Sequence, residues 1–485
     1  MADKPWKERT MKQDRRHFLK TAALTATGLC LPTMVRGEQR PNVLFIAVDD
    51  LRPQLGCYGH KQMISPNIDH LASEGIRFDM AFCQVPVCGA SRASLLTGVR
   101  PTPTRFLHFD TWADKDLPGA LSLPRHFREN GYYTLSNGKV YHHREDDLRA
   151  WSEAPWRPKG SWKGRGYLVP ENLARLEEHE TGLGPAWEKA DVDDSDYADG
   201  MIADKGIADL NRLQEMERPF FLALGFHKPH LPFNAPKKYW DLYEPGDIRL
   251  ANNPFQPQDA PDIAMHPWIE LRKYMDMPRN GPMPDELAQQ LVHGYYACVS
   301  YIDAQIGRVL KALEALGMKE NTIVVLWGDH GWQLGEHGLW CKHCNFQTSL
   351  RAPLIIMTPG KGKGLKTSRL TEFVDIYPTL CDLANLDLPH SLEGTSLLPL
   401  MRDPNRPWKK AIFSRWQTGD SVRTERYLYT EWKTSTGNLY SRMLYDHLKD
   451  PEENVNIAEK RKNQGLVKEL SDLLQQGWYP HQQQV

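Results

Sequence analysis

The sequence predicts an α/β protein with a mixed, mostly parallel sheet flanked by helices, followed by a smaller C-terminal α+β subdomain that combines an antiparallel sheet with a helix. Three observations support this fold class. Buried apolar runs alternate with helical patterns over most of the chain, as in parallel sheets. Two of these runs end at aspartates, and the runs beyond about residue 400 are short enough for an antiparallel sheet.

The strands of the large sheet are predicted from apolar runs that stop at polar residues. The run NVLFIAV stops at Asp49 and Asp50, and TIVVLW stops, after one glycine, at Asp329 and His330. Further runs of this kind lie at 132–135, 220–225 and 353–357. Because ligands collect at the carboxyl edge of such sheets, we expect the polar residues that follow these strands to converge there.

The clearest helix lies in the second half of the chain. Apolar residues spaced three and four apart run from Tyr295 to Leu313, and Gly317 is the expected stop. The preceding stretch, 229–285, is rich in Pro, Asn and Asp, which predicts a long ordered insertion. Segments of this kind often carry site residues.

The pattern near the C-terminus sets the predicted domain boundary. Runs at 411–416 and 426–432 are typical of antiparallel strands, and 469–474 is typical of a closing helix. We therefore predict an α/β domain over residues 38–400 and a C-terminal subdomain over residues 401–485.

The N-terminus is predicted to be an export signal. Arg15 and Arg16 precede a mildly apolar run over 21–35 that is too short and too polar to span a bilayer stably. This pattern is typical of a twin-arginine signal, which we place at residues 1–37. A basic N-terminal arm is the alternative interpretation. The signal predicts a periplasmic or secreted protein without stable membrane insertion.

The charge balance excludes one class of function. The chain contains 60 Lys and Arg against 61 Asp and Glu, which gives a formal net charge of −1. A protein that binds nucleic acid through an excess of positive charge is therefore not expected.

Cys341 and Cys344 form a C-x-x-C pair, a spacing found in redox sites and in halves of zinc sites. The sequence has no second C-x-x-C with metal spacing, so we interpret the pair as local packing or a disulfide in preference to a redox site. The chain has eight cysteines, and Cys30 would be lost with the signal.

The segment VCGASRASLLTG contains the candidate nucleophile, Cys88. It begins a short helical pattern that ends at Gly98, and the N-terminus of a helix stabilises a nucleophile or an anion. A buried cysteine in an ordinary helix is the alternative. Together with Arg92, Cys88 resembles the Cys-x-Pro/Ala-x-Arg signature of the sulfatases whose cysteine is converted to formylglycine, with Ala90 at the third place.

The resemblance extends from Pro41 to Asn456. It is closest to the iduronate-2-sulfatase-like branch, in the segments SNGKVYHH, FHKPHLPF and GDHGWQLGEHGLWCKHCNF. It implies an alkaline-phosphatase-like fold, a sulfated carbohydrate as substrate, and a maturation enzyme that generates the formylglycine.

The aspartates that follow the strands indicate a metal site by their chemistry. Asp49, Asp50 and Asp329 would form a cluster of like charges that is costly unless a cation neutralises it. Oxygen ligands favour Ca²⁺ before Mg²⁺ and disfavour Zn²⁺. A turn or helix cap is the other common use of an Asp-Asp pair. The resemblance implies that these aspartates, His330 and the modified Cys88 hold the metal.

The resemblance also implies a mechanism. A hydrated formylglycine at position 88 has two hydroxyls on one carbon: one attacks sulfur, and loss of the proton from the other expels sulfate. Arg92 would hold the hydrated aldehyde and the metal-site carboxylates, while Lys139 and Lys342 would bind the sulfate oxygens.

Two histidines complete the implied machinery. His142 would take the proton from the second hydroxyl, and His227 would protonate the leaving alcohol. His230 is close enough in sequence to exchange roles with His227, which we favour as the acid.

The predicted function is hydrolysis of O-sulfate esters on a carbohydrate, with a 2-O-sulfated uronate as the expected target. Two alternatives stay open. One is a phosphate or phosphonate monoester hydrolase with a related metal site. The other is a non-catalytic binder of sulfated glycans, which would follow if Cys88 is not modified.

Overall fold

The computed structural model of the chain describes residues 40–159, 166–178, 182–360, 364–389 and 392–478. The strands are β1 (Asn42–Val48), β2 (Ile76–Phe78), β3 (Ala81–Phe82), β4 (Tyr133–Gly138), β5 (Trp187–Ala190), β6 (Phe220–Phe226), β7 (Phe233–Pro236), β8 (Thr322–Gly328), β9 (Gln333–Leu334), β10 (Trp340–Cys341), β11 (Leu354–Met357), β12 (Leu365–Thr367), β13 (Thr371–Glu372), β14 (Ala411–Trp416), β15 (Gly419–Thr424), β16 (Tyr427–Lys433) and β17 (Leu439–Asp446). The α-helices are α1 (Pro66–Glu74), α2 (Cys88–Thr97), α3 (Ala113–Asp116), α4 (Leu123–Glu129), α5 (Pro170–Glu178), α6 (Ala198–Gln214), α7 (Lys237–Trp240), α8 (Ile269–Arg272), α9 (Asp285–Ala315), α10 (Gln347–Leu350), α11 (Ile376–Ala384), α12 (Leu398–Arg402) and α13 (Gln464–Trp478).

The central sheet has seven strands in the order β12-β2-β11-β8-β1-β6-β4. Strands β8, β1, β6 and β4 are parallel to one another. Strand β11 is antiparallel to both of its neighbours, and β12 is parallel to β2. The predicted mixed, mostly parallel sheet is confirmed.

Helices cover both faces of this sheet because alternate residues of its strands face opposite sides. In β1, Leu44 belongs to the same core as Ile302 of α9. Its neighbour Phe45 belongs to a second core, together with Leu96 of α2 and Leu380 of α11. Strand β1 is therefore buried on both faces, which explains its continuous apolar sequence.

The structure extends several elements beyond their predicted bounds. The predicted helix from Tyr295 is the centre of α9, which begins at Asp285 and ends at Ala315. Gly317 adopts a positive φ of 69°, consistent with a helix stop. The predicted closing helix at 469–474 is the middle of α13. Strands β2 and β12, of three residues each, were not predicted.

Strands β14 to β17 form a separate antiparallel sheet in sequential order, as predicted for the C-terminal part. Helix α13 packs against it, with Val467 and Leu470 in one core with Phe413 and Val422. The boundary at residues 400 and 401 stays a prediction.

The segment 229–285 contains β7, α7 and α8, and β7 pairs in parallel with β5. The predicted export signal lies outside the described residues. Within the described ranges, no helix is both long and apolar enough to cross a membrane.

Candidate active site

The candidate site lies at the carboxyl ends of the four adjacent parallel strands. Asp49 follows β1, Asp329 follows β8, Lys139 follows β4 and His227 follows β6. Because these strands are neighbours in the sheet, residues from distant parts of the sequence meet at one edge. The predicted convergence at this edge is present.

Cys88 is the first residue of α2, which is buried along its whole length. Its Sγ lies 3.2 Å from His142 Nδ1. A Cβ atom at Gly89 would lie 1.9 Å from the carbonyl oxygen of Phe109, so only glycine allows that loop to approach the start of the helix. The candidate nucleophile is thus fixed at a helix N-terminus, beside a histidine.

Arg92, one turn further along α2, is fully buried and linked to two of the aspartates. Its Nε donates to Asp329 Oδ2 at 2.9 Å, and an Nη atom donates to Asp49 Oδ1 at 3.1 Å. The other Nη donates to the carbonyl oxygens of Lys139 and Val140. This guanidinium therefore fixes the relative positions of β1, α2, β8 and the loop after β4.

Lys139 donates from Nζ to Asp49 Oδ2 at 2.5 Å. Burial disfavours the charge on Asp49, but the nearby cations Lys139 and Arg92 outweigh it and hold the pKa of this carboxyl well below its usual value. Asp49 is therefore an ionised carboxylate with both oxygens engaged.

Asp50 differs from Asp49, because its Oδ1 has no hydrogen-bond donor among the described residues. Its backbone has a φ of 59° and its amide donates to Asp329 Oδ1 at 3.0 Å, which turns the two carboxylates toward each other. Asp50 Oδ1 lies 3.3 Å from His330 Nε2, and neither atom has a hydrogen-bond partner among the described residues. Burial raises the pKa of Asp50 well above its usual value.

The donor atoms around this gap fit a divalent cation. One ligand atom each from Asp50, Asp329 and His330 lie within 4.8 Å of one another. His330 Nδ1 is 2.9 Å from the carbonyl oxygen of Gly331, which favours a hydrogen on Nδ1 and leaves Nε2 with a lone pair. A cation between these atoms would satisfy the unpaired carboxylate oxygen and the unpaired nitrogen together.

Lys342 lies on the other side of Asp50, 3.3 Å from Asp50 Oδ2. It also contacts Glu270 of α8, at 2.9 Å from Oε2. Glu270 lies 3.2 Å from His230 Nε2 as well. The pKa of Glu270 is well below its usual value because Lys342 and His230 outweigh the effect of burial.

Glu270 was not predicted as a site residue. It lies in a four-residue helix within the Pro-rich segment, and no local pattern distinguishes it from a surface carboxylate. The acids and His230 around Lys342 form a second group of possible metal ligands. The Lys342 ammonium already lies between its two carboxylates, so we place no ion there.

The two histidines that were predicted as base and acid both lie at the candidate site: His142 beside Cys88, and His227 directly after β6. Burial and the neighbouring Lys139 lower the pKa of His142 to about 3, so its ring is neutral at pH 7. His227 is buried against Asp199 of α6, which accepts a hydrogen bond from the His227 backbone amide at 2.7 Å and lies 3.3 Å from Nδ1. Asp199 also was not predicted.

His230 has different partners from His227. Its Nδ1 lies 2.7 Å from the carbonyl oxygen of Leu231, and its Nε2 contacts Glu270 and Asp50. Burial and Lys342 lower its pKa to about 3. His230 thus belongs to the group around Lys342, while His227 has its own carboxylate.

The rim of the site carries aromatic side chains, of which Phe109 is exposed and Trp112 and Trp416 are half-buried. Phe109 is 60% exposed and its ring centroid lies 6.0 Å from that of His142. Trp112 stacks on His143 at 4.1 Å. Trp416, at the end of β14, lies 5.1 Å from His343, so the C-terminal sheet reaches the neighbour of Lys342.

The C-x-x-C pair is not a disulfide. Cys341 and Cys344 are buried free thiols, and the other five cysteines of the described residues are also free. Cys344 Sγ lies 3.1 Å from Ser349 Oγ. Of the two interpretations left open by the sequence, local packing is the one observed.

Comparisons with known proteins find family matches that together span most of the chain. A family model described as Sulfatase matches residues 41–386, and another, described as N-sulphoglucosamine sulphohydrolase, C-terminal, matches residues 335–478. The iduronate 2-sulfatase of Homo sapiens is 37% identical over 81% of this chain and 84% of the human protein.

Solved structures share the fold. A 2-O GAG sulfatase superposes with a TM-score of 0.69 at 23% identity, covering 92% of this chain and 93% of its own. A phosphonate monoester hydrolase from Silicibacter pomeroyi superposes with a TM-score of 0.73 at 23% identity, covering 90% and 94%. Because both reactions occur on this fold, the fold alone does not choose between them.

Proposed function

The chain belongs to the sulfatase family and is a sulfuric ester hydrolase, and we propose that it hydrolyses an O-sulfate ester of a carbohydrate, with a 2-O-sulfated uronate as its target. The observation that carries this proposal is the position of Cys88. It begins α2 and lies 3.2 Å from His142, next to a buried cluster of acids and cations. That arrangement suits a nucleophile that must form beside a sulfate group.

The proposed nucleophile is made from Cys88. Oxidised to formylglycine and hydrated, residue 88 supplies two hydroxyls on one carbon, one to take the sulfuryl group and one whose deprotonation releases sulfate. The N-terminus of α2 favours negative charge at this position. His142 accepts a proton here, since its neutral ring keeps a lone pair at pH 7.

Three buried cations serve residue 88 and the sulfate group. Arg92 is anchored by Asp49 and Asp329, so it orients residue 88 without a change of rotamer. Lys139 and Lys342 both keep their charge despite burial, because the adjacent carboxylates raise the pKa of each ammonium. Fixed charges of this kind stabilise the oxygens that gain charge as the S–O bond breaks.

His227 donates the proton to the leaving alcohol. Burial lowers the pKa of His227, while Asp199 beside Nδ1 favours the protonated ring that this role requires. His230 is held by Glu270 and is assigned to positioning Lys342. This assignment keeps the preference for His227 over His230.

Asp50, Asp329 and His330 would hold a divalent cation, with Asp49 and residue 88 as the further ligands. We propose Ca²⁺, because oxygen donors predominate. When bound, the cation polarises sulfate oxygens and lowers the pKa of a nearby hydroxyl. The fit rests on the unpaired Asp50 Oδ1 and His330 Nε2.

The substrate assignment rests on relatives and on the rim. The human relative of 37% identity is named iduronate 2-sulfatase. The exposed ring of Phe109 suits the apolar face of a pyranose. We also propose that a twin-arginine signal exports the protein to the periplasm or beyond and that a formylglycine-generating enzyme matures it.

The test is peptide mass spectrometry across Cys88 on protein from its native host, followed by turnover assays. We expect a mass deficit that matches replacement of the thiol by an aldehyde. We also expect faster turnover of a 2-O-sulfated uronate disaccharide than of a phosphonate monoester. The Cys88→Ala variant should lose activity by about 10⁴-fold or more, whereas Cys381→Ala, in the core beside α2, should retain it.

Two results would overturn the proposal. An unmodified Cys88 in folded, metal-loaded protein that binds sulfated sugar without turnover would make the protein a glycan binder. A preference for phosphonate or phosphate esters would assign it to the related hydrolases.

A further inference from the structure

A cavity of about 630 Å³, which we call the second cavity to distinguish it from the candidate active site, is lined by other residues, beginning with Arg52, two positions after Asp50. Its wall includes the loop after β1, the turn after β9, the segment around Arg249 and the chain at Glu452. Of the described residues assigned to catalysis or metal binding, none lines it. Its volume is in the range of small-ligand sites.

The charged residues of the second cavity give it an excess of positive charge. Four basic residues line it, namely Arg52, Lys61, Arg249 and Arg351, against the acids Glu336 and Glu452. Arg52 and Glu336 pair at 2.7 Å and compensate each other. Three cations therefore face one uncompensated carboxylate, which favours an anionic occupant.

Two residues that line the cavity, Gln54 and His337, each carry a buried acceptor atom without a donor among the described residues. His337 Nε2 lies 2.9 Å from the carbonyl oxygen of Glu452, so it is the donor there and Nδ1 is an acceptor. His337 Nδ1 and Gln54 Oε1 are buried without a hydrogen-bond partner among the described residues. His337 is only 2% exposed. A bare sulfate ion cannot donate to these atoms, whereas a sugar hydroxyl can.

His60, which also lines the cavity, adds a hydrogen-bond donor to these acceptors. Gln54 Nε2 donates to His60 Nε2 at 2.8 Å, which places the hydrogen of the neutral ring on Nδ1. That Nδ1 has no acceptor within the described part of the chain. Burial and Arg52 lower the pKa of His60 to about 4, so the ring is neutral at pH 7.

We propose that the second cavity is a non-catalytic binding site for a sulfated saccharide unit. Lys61, Arg249 and Arg351 bind the sulfate or carboxylate groups, and the hydroxyls pair with Gln54, His60 and His337. The site would hold one part of a sulfated glycan while another reaches residue 88. The choice of a sulfated sugar rests on the proposed function, but the cavity and its charge do not.

The test is calorimetric titration of the Cys88→Ala protein, which cannot turn over substrate, with a 2-O-sulfated uronate disaccharide. We expect two sites per chain. When Lys61→Ala and Arg249→Ala are added to Cys88→Ala, the affinity of one of the two sites should fall at least tenfold. Both side chains are exposed, so folding should persist. The pair Lys366→Ala and Arg406→Ala, also exposed and outside the cavity, is the matched control.

A single site, or a second site that Lys61→Ala and Arg249→Ala leave unchanged, would overturn the proposal. Sodium sulfate that displaces the disaccharide from the second site with equal affinity would overturn the saccharide assignment in favour of free sulfate. Turnover is measured separately with unsubstituted protein, so failure of the second site and failure of the proposed sulfatase reaction are distinguishable.

Discussion

The protein contains two buried clusters of charge that differ in how their carboxylates are paired. The catalytic cluster, named for its proposed role, comprises Asp49, Asp50, Arg92, Asp329 and His330. The structural cluster comprises Arg100, Glu372, Asp375 and Lys409. In the structural cluster, Glu372 accepts from Arg100 at 3.0 and 2.6 Å and from Lys409 at 2.8 Å. Asp375 accepts from Lys409 at 2.6 Å and from the Glu372 amide at 2.9 Å.

Every carboxylate oxygen of the structural cluster therefore has a hydrogen-bond donor. The two acids of this cluster are matched by two cations. The catalytic cluster leaves Asp50 Oδ1 and His330 Nε2 without a partner in the described residues, 3.3 Å apart. Native proteins rarely leave buried polar atoms unpaired. The two clusters are alike in burial and charge, so the incomplete set of hydrogen-bond partners at Asp50 and His330 is what distinguishes the candidate site from the structural cluster.

The largest expected effect comes from Asp50→Asn. Activity should fall by more than about 100-fold, since loss of even an outer partner of a metal ligand can cost that much. Without metal, the melting temperature should stay equal or rise, because a buried carboxylate with an unpaired oxygen is removed. Activity assays measure the first effect, and melting scans with EDTA and with added Ca²⁺ measure the second.

In unsubstituted protein, Ca²⁺ should raise the melting temperature by mass action, and in Asp50→Asn this rise should shrink or vanish. An undiminished rise in the variant would show that the ion binds elsewhere. It would also remove the contrast drawn between the two clusters.

The matched change in the structural cluster is Glu372→Gln. It leaves Arg100 without its main anion and removes one of the two carboxylates that Lys409 contacts, so the free energy of unfolding should fall by about 3–5 kcal/mol. The loss should be the same with EDTA and with Ca²⁺, and specific activity of the folded protein should persist. Urea titrations measure the loss.

Glu129→Gln is the control for this change. Glu129 pairs with Arg125 on the surface, and its side chain is 50% exposed. Its replacement should cost less than about 1 kcal/mol. If Glu372→Gln costs no more than Glu129→Gln, the structural cluster contributes little to stability.

The sequence predicted the elements whose signal is local. Strands β1 and β8 are continuous apolar runs because both of their faces are buried, and the acids after them follow directly in the chain. Cys88 and Arg92 lie one turn apart in one motif. The resemblance supplied the roles, and the adjacency of β8, β1, β6 and β4 explains why the residues meet.

The residues that were missed depend on contacts between distant segments. Asp199 lies in the first turn of α6, where an acidic residue is common for helix-dipole reasons. Glu270 becomes a site residue only because α8 brings it within 2.9 Å of Lys342. Strands β2 and β12 are too short for a periodic pattern, so only pairing with β11 and with each other defines them.

The smallest expected effect is on the pH dependence of the structural cluster. Arg100 and Lys409 outweigh burial and lower the pKa of Glu372 from 4.5 to about 2 in the folded protein. A depressed carboxyl pKa adds stability above the unfolded value, and that stability is lost as the pH falls through the folded value. The stability difference between unsubstituted protein and Glu372→Gln should therefore be constant above about pH 5 and shrink from pH 4.5 toward pH 2. Burial raises the pKa of Asp375 and the Glu372 charge raises it further, so the difference between the two proteins reports the titration of Glu372 together with its effect on Asp375. Urea titrations across this range measure the difference. A difference that stays constant down to pH 2 would mean that the carboxylate charge of Glu372 is not what stabilises the cluster.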